Sequence, residues 1–386
     1  MSEKIEVCRV GEDRYRELMD VMDLSFGFIN SDSVTFLQLL PKLYKPEYAP
    51  WENNMCVLEN GRIRAVIGIY YQNLNVCGER LKVGGIGNVC VHPDARGKGY
   101  MRLAMDAVTE EMKHNGTDFS FLDGHRQRYR YFGYDTAGYS VNFTVDARNI
   151  RHVYGADYQP QMQIEPIADD DSEKQLLVDI GRTAPVHAER SPEAITDLLR
   201  SWNNRAFKLR KNGKTVGYFV LERNDANVPE FRVASPEYLK EAVAAIVLSR
   251  PTTYAYFNMP ACFTAYSDFL ASIASGVSLH NAFRISVYRY QRTLNAFFQA
   301  KALETVLPDC GCNVLVHGIR GDETLSISVK DGVPSVTSGA LAPDLELDHL
   351  AAANFFFGLR APERAAVPGL CPSLPIPAIL SSPDHV

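Results

Sequence analysis

Val89-Cys90-Val91-His92-Pro93-Asp94-Ala95-Arg96-Gly97-Lys98-Gly99-Tyr100-Met101-Arg102 passes from a strand through a polar loop into a helix. The strand runs from Leu81 to Val91 and contains glycines at 84, 85 and 87. Downstream, Met101, Ala104, Met105, Val108 and Met112 sit at offsets 0, 3, 4, 7 and 11, one face of a helix that reaches about Lys113 and stops at Asn115-Gly116. Gly97 and Gly99 open its first turn. Glycine lets the backbone approach a ligand closely, and a helix start offers unpaired N–H donors and a positive dipole end. That combination suits a pyrophosphate. The dipole contributes only about 0.3–1 kcal/mol at an exposed site, so aimed N–H bonds must supply most of the binding.

Other phosphate loops fit less well. A Walker loop needs Ser or Thr after its lysine, but Gly99 follows Lys98. The dinucleotide fingerprint needs a third glycine where Arg102 stands. Glycines 84, 85 and 87 lie inside the strand, where they predict a bulge or a close approach to the sheet. Cys90 has no base candidate beside it and reads as a packing residue. His92 reads as a loop residue. Cys310-Gly311-Cys312 lacks the second Cys/His pair that a zinc site needs, so no metal is expected.

Around this stretch the first 145 residues alternate strand and helix signals. Strands are expected at Ile5–Val10, Met55–Glu59, Ile63–Val76, Leu81–Val91, Asp118–Leu122 and Tyr139–Val145. Helices are expected at Asp13–Phe26, Ser31–Tyr44 (broken by Pro41), after Gly99, and at Arg126–Phe132. Asn60-Gly61 predicts a hairpin turn. Met162–Tyr290 repeats much of that order: strands at Met162–Ile167, Ala206–Arg210, Val216–Glu222, Phe231–Ala234 and Thr253–Phe257; helices at Asp171–Gly181, Pro192–Trp202 (with Ser191 as cap), Pro236–Leu248 and Cys262–Ile273. From Thr293 the pattern changes to a helix (Leu294–Leu307), strands near Asn313–His317, Thr324–Val329 and Val333–Val336, and a helix at Leu347–Phe357. Ala361–Val386 carries six prolines and no periodicity, so it must lie on something to be ordered. The expected fold is α/β (α+β), divided at 1–147, 148–291 and 292–386.

Composition bounds the function. A chain of 386 residues predicts two to four domains. With 46% hydrophobic residues it is globular, and 40 Lys+Arg against 46 Asp+Glu gives a net charge of −6, a poor match for broad nucleic-acid binding. The longest apolar run, Ala242–Leu248, is far short of the roughly 20 residues a bilayer span needs. No membrane association is expected, and with no secretory signal at the N-terminus a cytoplasmic location with reduced cysteines is.

Arg96-Gly97-Lys98-Gly99-Tyr100-Met101 resembles the coenzyme A loop of the GCN5-related N-acetyltransferases (GNAT), Q/R-x-x-G-x-G/A, departing at Met101, where that pattern has a small residue. The element order matches that superfamily too. With Tyr129-Arg130-Tyr131-Phe132-Gly133-Tyr134, the whole chain resembles the enhanced intracellular survival family, which joins an acetyltransferase domain, a degenerate second copy and a sterol carrier protein-like domain. The resemblance implies acetyl-CoA as cosubstrate. Val89, Cys90 and Val91 would offer strand-edge groups to the pantetheine. Gly97, Lys98, Gly99, Tyr100, Met101 and Arg102, following Arg96, would hold the pyrophosphate, and Gly124 and His125 would also touch the coenzyme. Tyr129 would be the general acid and the terminal carboxylate of Val386 the base. The second copy lacks the loop, so one coenzyme site is expected. Arg126, Arg128 and Arg130 face either the coenzyme's 3′-phosphate or solvent. The implied acceptor is a cationic amine of aminoglycoside or polyamine type, in a pocket walled by the first two helices and the tail. A protein lysine, or a non-catalytic lipid carrier, are the alternatives. Family analogy implies a hexamer.

Overall fold

The computed structural model describes residues 4–27, 34–339 and 342–386. Its strands, numbered along the chain, are β1 (Ile5–Cys8), β2 (Asn54–Glu59), β3 (Arg62–Val76), β4 (Glu79–Val91), β5 (Phe119–Leu122), β6 (Asp135–Asp146), β7 (Gln163–Pro166), β8 (Val186–Ala188), β9 (Arg205–Lys211), β10 (Lys214–Leu221), β11 (Asn227–Val228), β12 (Glu230–Val233), β13 (Tyr254–Met259), β14 (Gly276–Val287), β15 (Cys310–Gly318), β16 (Gly321–Lys330), β17 (Val333–Ser338) and β18 (Leu345–Asp348). They form three sheets: a ten-stranded one in the order β1-β2-β3-β4-β5-β14-β6-β13-β11 with β8 on β3, a second of order β12-β10-β9-β7, and a third of order β17-β16-β15-β18.

The expected β2–β3 hairpin turns at Asn60 and Gly61, both left-handed at φ 51° and 78°, the conformation a tight turn between twisted strands requires. The helix Tyr100–His114 buries Ala104, Met105, Val108 and Met112 against one face of the first sheet, as the periodicity predicts. The helix Tyr15–Phe26 buries Leu18 and Met22 on another cluster, together with Tyr44, Tyr70 and Cys90. Residues 31–33 of the expected second helix lie outside the described residues. Its described part is two short helices, Phe36–Leu39 and Pro41–Tyr44, with Thr35 and Gln38 forming a reciprocal cap.

Several elements differ from the sequence expectation: β8, β11, β18 and a helix at Ala147–Tyr154 were not expected, and the helix expected at Leu347–Phe357 starts at His349, after β18. The helix expected at 192–202 is shorter, Ile195–Arg200, and Trp202 beyond it adopts φ 65°; Ser191 Oγ accepts from the Ala194 N–H at 3.3 Å. The repeated half does not build its own complete sheet. β7, β9, β10 and β12 do form one, but β13 and β14 join the first sheet. β14, missing from the sequence reading, runs antiparallel between β5 and β6, pairing Ile285 with Phe121 and with Asp135. The sheet therefore crosses the expected 147/148 boundary. The tail does lie on the core: Leu374, Ile376, Ala378, Ile379 and Leu380 are all buried. No helix among the described residues is long and apolar enough to cross a membrane.

Candidate active site

The site forms where β4 and β5 part. The two strands pair in parallel from Val83–Phe119 to Ile86–Leu122; β5 then ends, while β4 continues to Val91 paired with β3. A bulge falls at this point. The β3–β4 register slips between Val66 and Gly68, and Asn88 takes φ 41°. Its amide is fixed by Asn54 Oδ1 at 2.8 Å, and its Oδ1 is buried without a partner. The β5-facing edge of Val89–Val91 is left without a strand partner among the described residues.

A cleft of about 550 Å³ opens beside that edge, lined by Ser25, Phe26, Val89, Cys90, Val91, Arg96, Met101 and Arg128. Five of these were expected as coenzyme residues, and Arg128, one of the three arginines expected at the coenzyme or in solvent, adds a second guanidinium. Ser25 and Phe26 add the end of the Tyr15–Phe26 helix. The bulky Met101, where the loop pattern wants a small residue, thus forms part of the wall. Gly97 and Gly99 are left-handed at φ 84° and 81°, and a Cβ on either would meet nothing within 4 Å. Substituting alanine for Gly99 therefore costs only backbone strain, about 1–2 kcal/mol. The free variant loop is expected to relax out of the left-handed region, so that binding must restore the strained conformation; coenzyme affinity of Gly99→Ala, measured by calorimetry, is expected to fall by up to roughly 5- to 30-fold.

Lys98 and Tyr100 are used differently from the rest of the loop. Both side chains reach Glu59 at the end of β2, the Tyr100 hydroxyl at 2.6 Å, and Tyr100 is buried. Glu59 thus fastens the loop to the sheet. Bonds from Lys98 and Tyr100 hold the Glu59 carboxyl below its ordinary range. Arg102 is exposed and lies 3.7 Å from Asp106. The basic cluster divides: Arg126 and Arg130 both bind the buried Asp135, the former through Nε at 2.5 Å, while Arg128 faces the cleft.

Gly124 and His125 follow β5, and His125 is exposed. Gly124 has φ 140°, and a Cβ there would come within 2.6 Å of the Tyr129 ring. That close approach seats Tyr129, which is 6% exposed. Burial raises the Tyr129 pKa above its ordinary value, with Arg128 opposing. No hydrogen bond reaches its hydroxyl among the described residues.

The chain's last residue is here too. Val386 packs against Gly85 and Gly87: a Cβ on Gly85 would lie 2.7 Å from Val386 Cγ2, and one on Gly87 would lie 3.4 Å from its carboxyl carbon. The strand glycines thus serve a close approach by the protein's own tail. Gly85→Ala is expected to push Val386 out of place and lower turnover about 100-fold, with coenzyme affinity within about 3-fold of wild type. Steady-state kinetics beside coenzyme titration would show it.

The tail's other side faces two adjoining cavities of about 260 and 560 Å³ that share Asp123, Glu222, Ser382 and His385. The first two helices do not line them among the described residues, whereas the tail does, through Ile379, Leu380, Ser382 and His385; the rest of the wall comes mainly from β6, β11, β13, β14 and the Glu222–Asn224 turn. Burial pushes the Asp123 carboxyl up, but His385, bonded to it at 3.0 Å, outweighs this and leaves it below its ordinary value. The two cavities together present Asp123, Glu222, Arg223 and several asparagine amides.

Residues 6–137 match the family model described as an acetyltransferase (GNAT) domain. The chain therefore carries a GNAT acetyltransferase domain. No curated protein matches it. Among solved structures it is similar to a GCN5-related N-acetyltransferase from Anabaena variabilis (TM-score 0.68, 16% identity, 98% of each chain). One from Kribbella flavida is similar as well (0.67, 15%, 100% of this chain and 99% of that). Eis1 from Mycobacterium abscessus gives 0.60 at 14% identity over 91% and 88%. At these identities the likeness establishes a shared fold, and it spans all three sheets.

Proposed function

We propose that this chain is an acetyl-CoA-dependent N-acetyltransferase acting on a primary amine of a cationic, aminoglycoside- or polyamine-like acceptor. The observation that carries the reading is the cleft at the open end of β4, walled by Val89–Val91, Arg96 and Arg128, with Val386 seated on Gly85 and Gly87 of the same strand and the buried Tyr129 next in sequence to Arg128. The cleft fits the coenzyme. It offers an unpaired strand edge for an amide-bearing chain, an N-terminal helical turn for phosphates, and two arginines. Val89, Cys90 and Val91 would bind the pantetheine, Arg96 to Arg102 the pyrophosphate, with Gly124 and His125 beside them. The coenzyme supplies an acetyl thioester.

The chain's residues then have three tasks. Backbone N–H groups at the β4 bulge polarise the carbonyl oxygen. The Val386 carboxylate holds the acceptor's ammonium. Its reference pKa of about 3.3–3.7 makes it a weak base toward an amine near 10.4, so it orients the amine and passes the proton on, with water as the natural relay. Tyr129 donates a hydrogen bond to the departing sulfur. Its raised pKa makes complete transfer to a thiolate of about 8.5 uphill by more than about 2 kcal/mol, so the bond strengthens as charge develops on sulfur. The acceptor enters by the cavities at Asp123 and Glu222.

In this reading the chain comprises a catalytic unit (1–147), a degenerate GNAT-like unit (148–291) and a sterol carrier protein-like unit (292–386). It is a cytoplasmic hexamer without nucleic-acid or membrane partners. Thiol release from acetyl-CoA across a panel of aminoglycosides, polyamines and lysine peptides tests the function. No release with any amine would refute it, and release with lysine peptides alone would move the acceptor to protein.

A further inference from the structure

Chain ends fray unless tied down, and this tail is tied from two sides. Asp384, with a side chain 1% exposed, accepts from Arg190 Nε at 2.9 Å and Nη2 at 2.8 Å. The same guanidinium gives Nη1 and Nη2 to Glu230 at 2.7 and 2.8 Å. Glu230, on β12, also accepts from the Tyr218 hydroxyl at 2.7 Å and from Ser381 Oγ, and Arg232 stands 3.9 Å away. From the opposite side Lys42 Nζ donates to the carbonyls of Pro383 and His385, and Gln72 Nε2 to that of Asp384 at 3.3 Å. Every carbonyl from Pro383 to His385 is thus held by a side chain. The next group along is the carboxyl of Val386, over Gly87.

We propose that Arg190 and Lys42 are positioning residues that together fix the Val386 carboxylate at the open end of β4. This inference rests on the reading of Val386 as the group that holds the acceptor amine. Two buried carboxylates sharing one guanidinium are poor value as stability, because apolar residues of the same volume hold a core as well. Their distinctive property is geometry. A guanidinium fork bonded to two carboxylates fixes the orientation of both, where an apolar contact would let the tail slide. Arg190 lies just beyond β8 and Glu230 on β12, both in the second half of the chain. Lys42 comes from the first half. The degenerate copy, which lacks a coenzyme loop, therefore still serves the reaction by gripping the residue two places before the end. Ser381, Asp384 and the two carbonyls on Lys42 set the direction of the last residue as a jig would.

The test uses Asp384→Asn and Lys42→Met in the full chain. Asp384→Asn leaves Arg190 paired with Glu230, and Lys42→Met removes a partner only from backbone carbonyls, so one remains informative if the other fails to fold. Arg190→Lys, which keeps the charge but loses the fork, serves as the conservative rescue. A broad-specificity carboxypeptidase is expected to release Val386 and His385 from either variant about tenfold faster than from wild type, because local opening is easier. Turnover should fall about 100-fold with coenzyme affinity within about threefold, and Arg190→Lys should fall between. Wild-type resistance to the carboxypeptidase in both folded variants would overturn the clamp. Fast release with unchanged turnover would sustain the clamp and refute the role of the Val386 carboxylate.

Discussion

Tyr129→Phe is expected to lower kcat by about 100- to 10,000-fold, the range over which a positioned proton donor contributes. Coenzyme affinity and Tm should stay close to wild type. The ring is buried and seated on Gly124, which can carry no side chain there, so phenylalanine fills the same space. The hydroxyl makes no hydrogen bond among the described residues, so the fold loses nothing when it goes. What is lost, in the proposed mechanism, is the donor to the departing sulfur. The unchanged Tm and coenzyme affinity separate this from a packing effect, and the pH profile shows which group titrates. Burial raises the phenol above its ordinary pKa of 10.0, so it remains protonated, and available, below that pH. Turnover of wild type should climb with pH as the acceptor amine, near 10.4, deprotonates. The variant should climb in parallel at a lower level. Thiol release measured from pH 6 to about 9.5 decides it. A variant with more than half of wild-type kcat would remove Tyr129 from the mechanism.

The glycine loop and the helix after it were legible as local structure because their parts are local. Glycines 97 and 99 sit where left-handed residues are needed, and a 3.6-residue periodicity starts next to them. Glycines 85 and 87 gave half an answer: a close approach, without saying what approaches. The approaching group lies some three hundred residues on, and nothing near the glycines encodes it. The same holds for the clamp. Lys42 binds a carbonyl 341 positions away, and Arg190 a carboxylate 194 positions away. Backbone acceptors have no sequence signature, and one arginine among many does not announce its partner. β14 is a different case. Val277, Leu279, Phe283, Ile285 and Val287 do alternate, yet Val277 and Leu279 are each 57% exposed, so the pattern does not report a uniformly buried face. Its insertion between β5 and β6 is a long-range pairing that no local signal specifies. Tyr100 and Lys98 show the opposite limit: their place in the loop was readable, but not that Glu59 would claim their side chains.

Adding residues after Val386 is expected to lower kcat at least about 100-fold while leaving coenzyme affinity within about threefold. The added peptide bond turns the carboxylate into a neutral amide. It removes the charge that holds an ammonium, and it carries new atoms into a place where the Val386 carboxyl carbon already lies 3.4 Å from a Cβ position on Gly87. The residues proposed to bind the coenzyme, Val89–Val91 and Arg96–Arg102, are untouched. Deleting Val386 should be about as damaging for another reason. The new carboxylate would form at His385, whose carbonyl Lys42 holds on the far side of the tail. Val386→Ala is the informative control. It keeps the carboxylate in register and removes only the methyl groups that pack over Gly85, so its kcat should remain within about tenfold of wild type. If the extended chain and Val386→Ala are equally active, the carboxylate does no work in the reaction. If both are equally impaired with intact coenzyme binding, the valine side chain rather than its charge is what the Gly85–Gly87 cradle is built to receive.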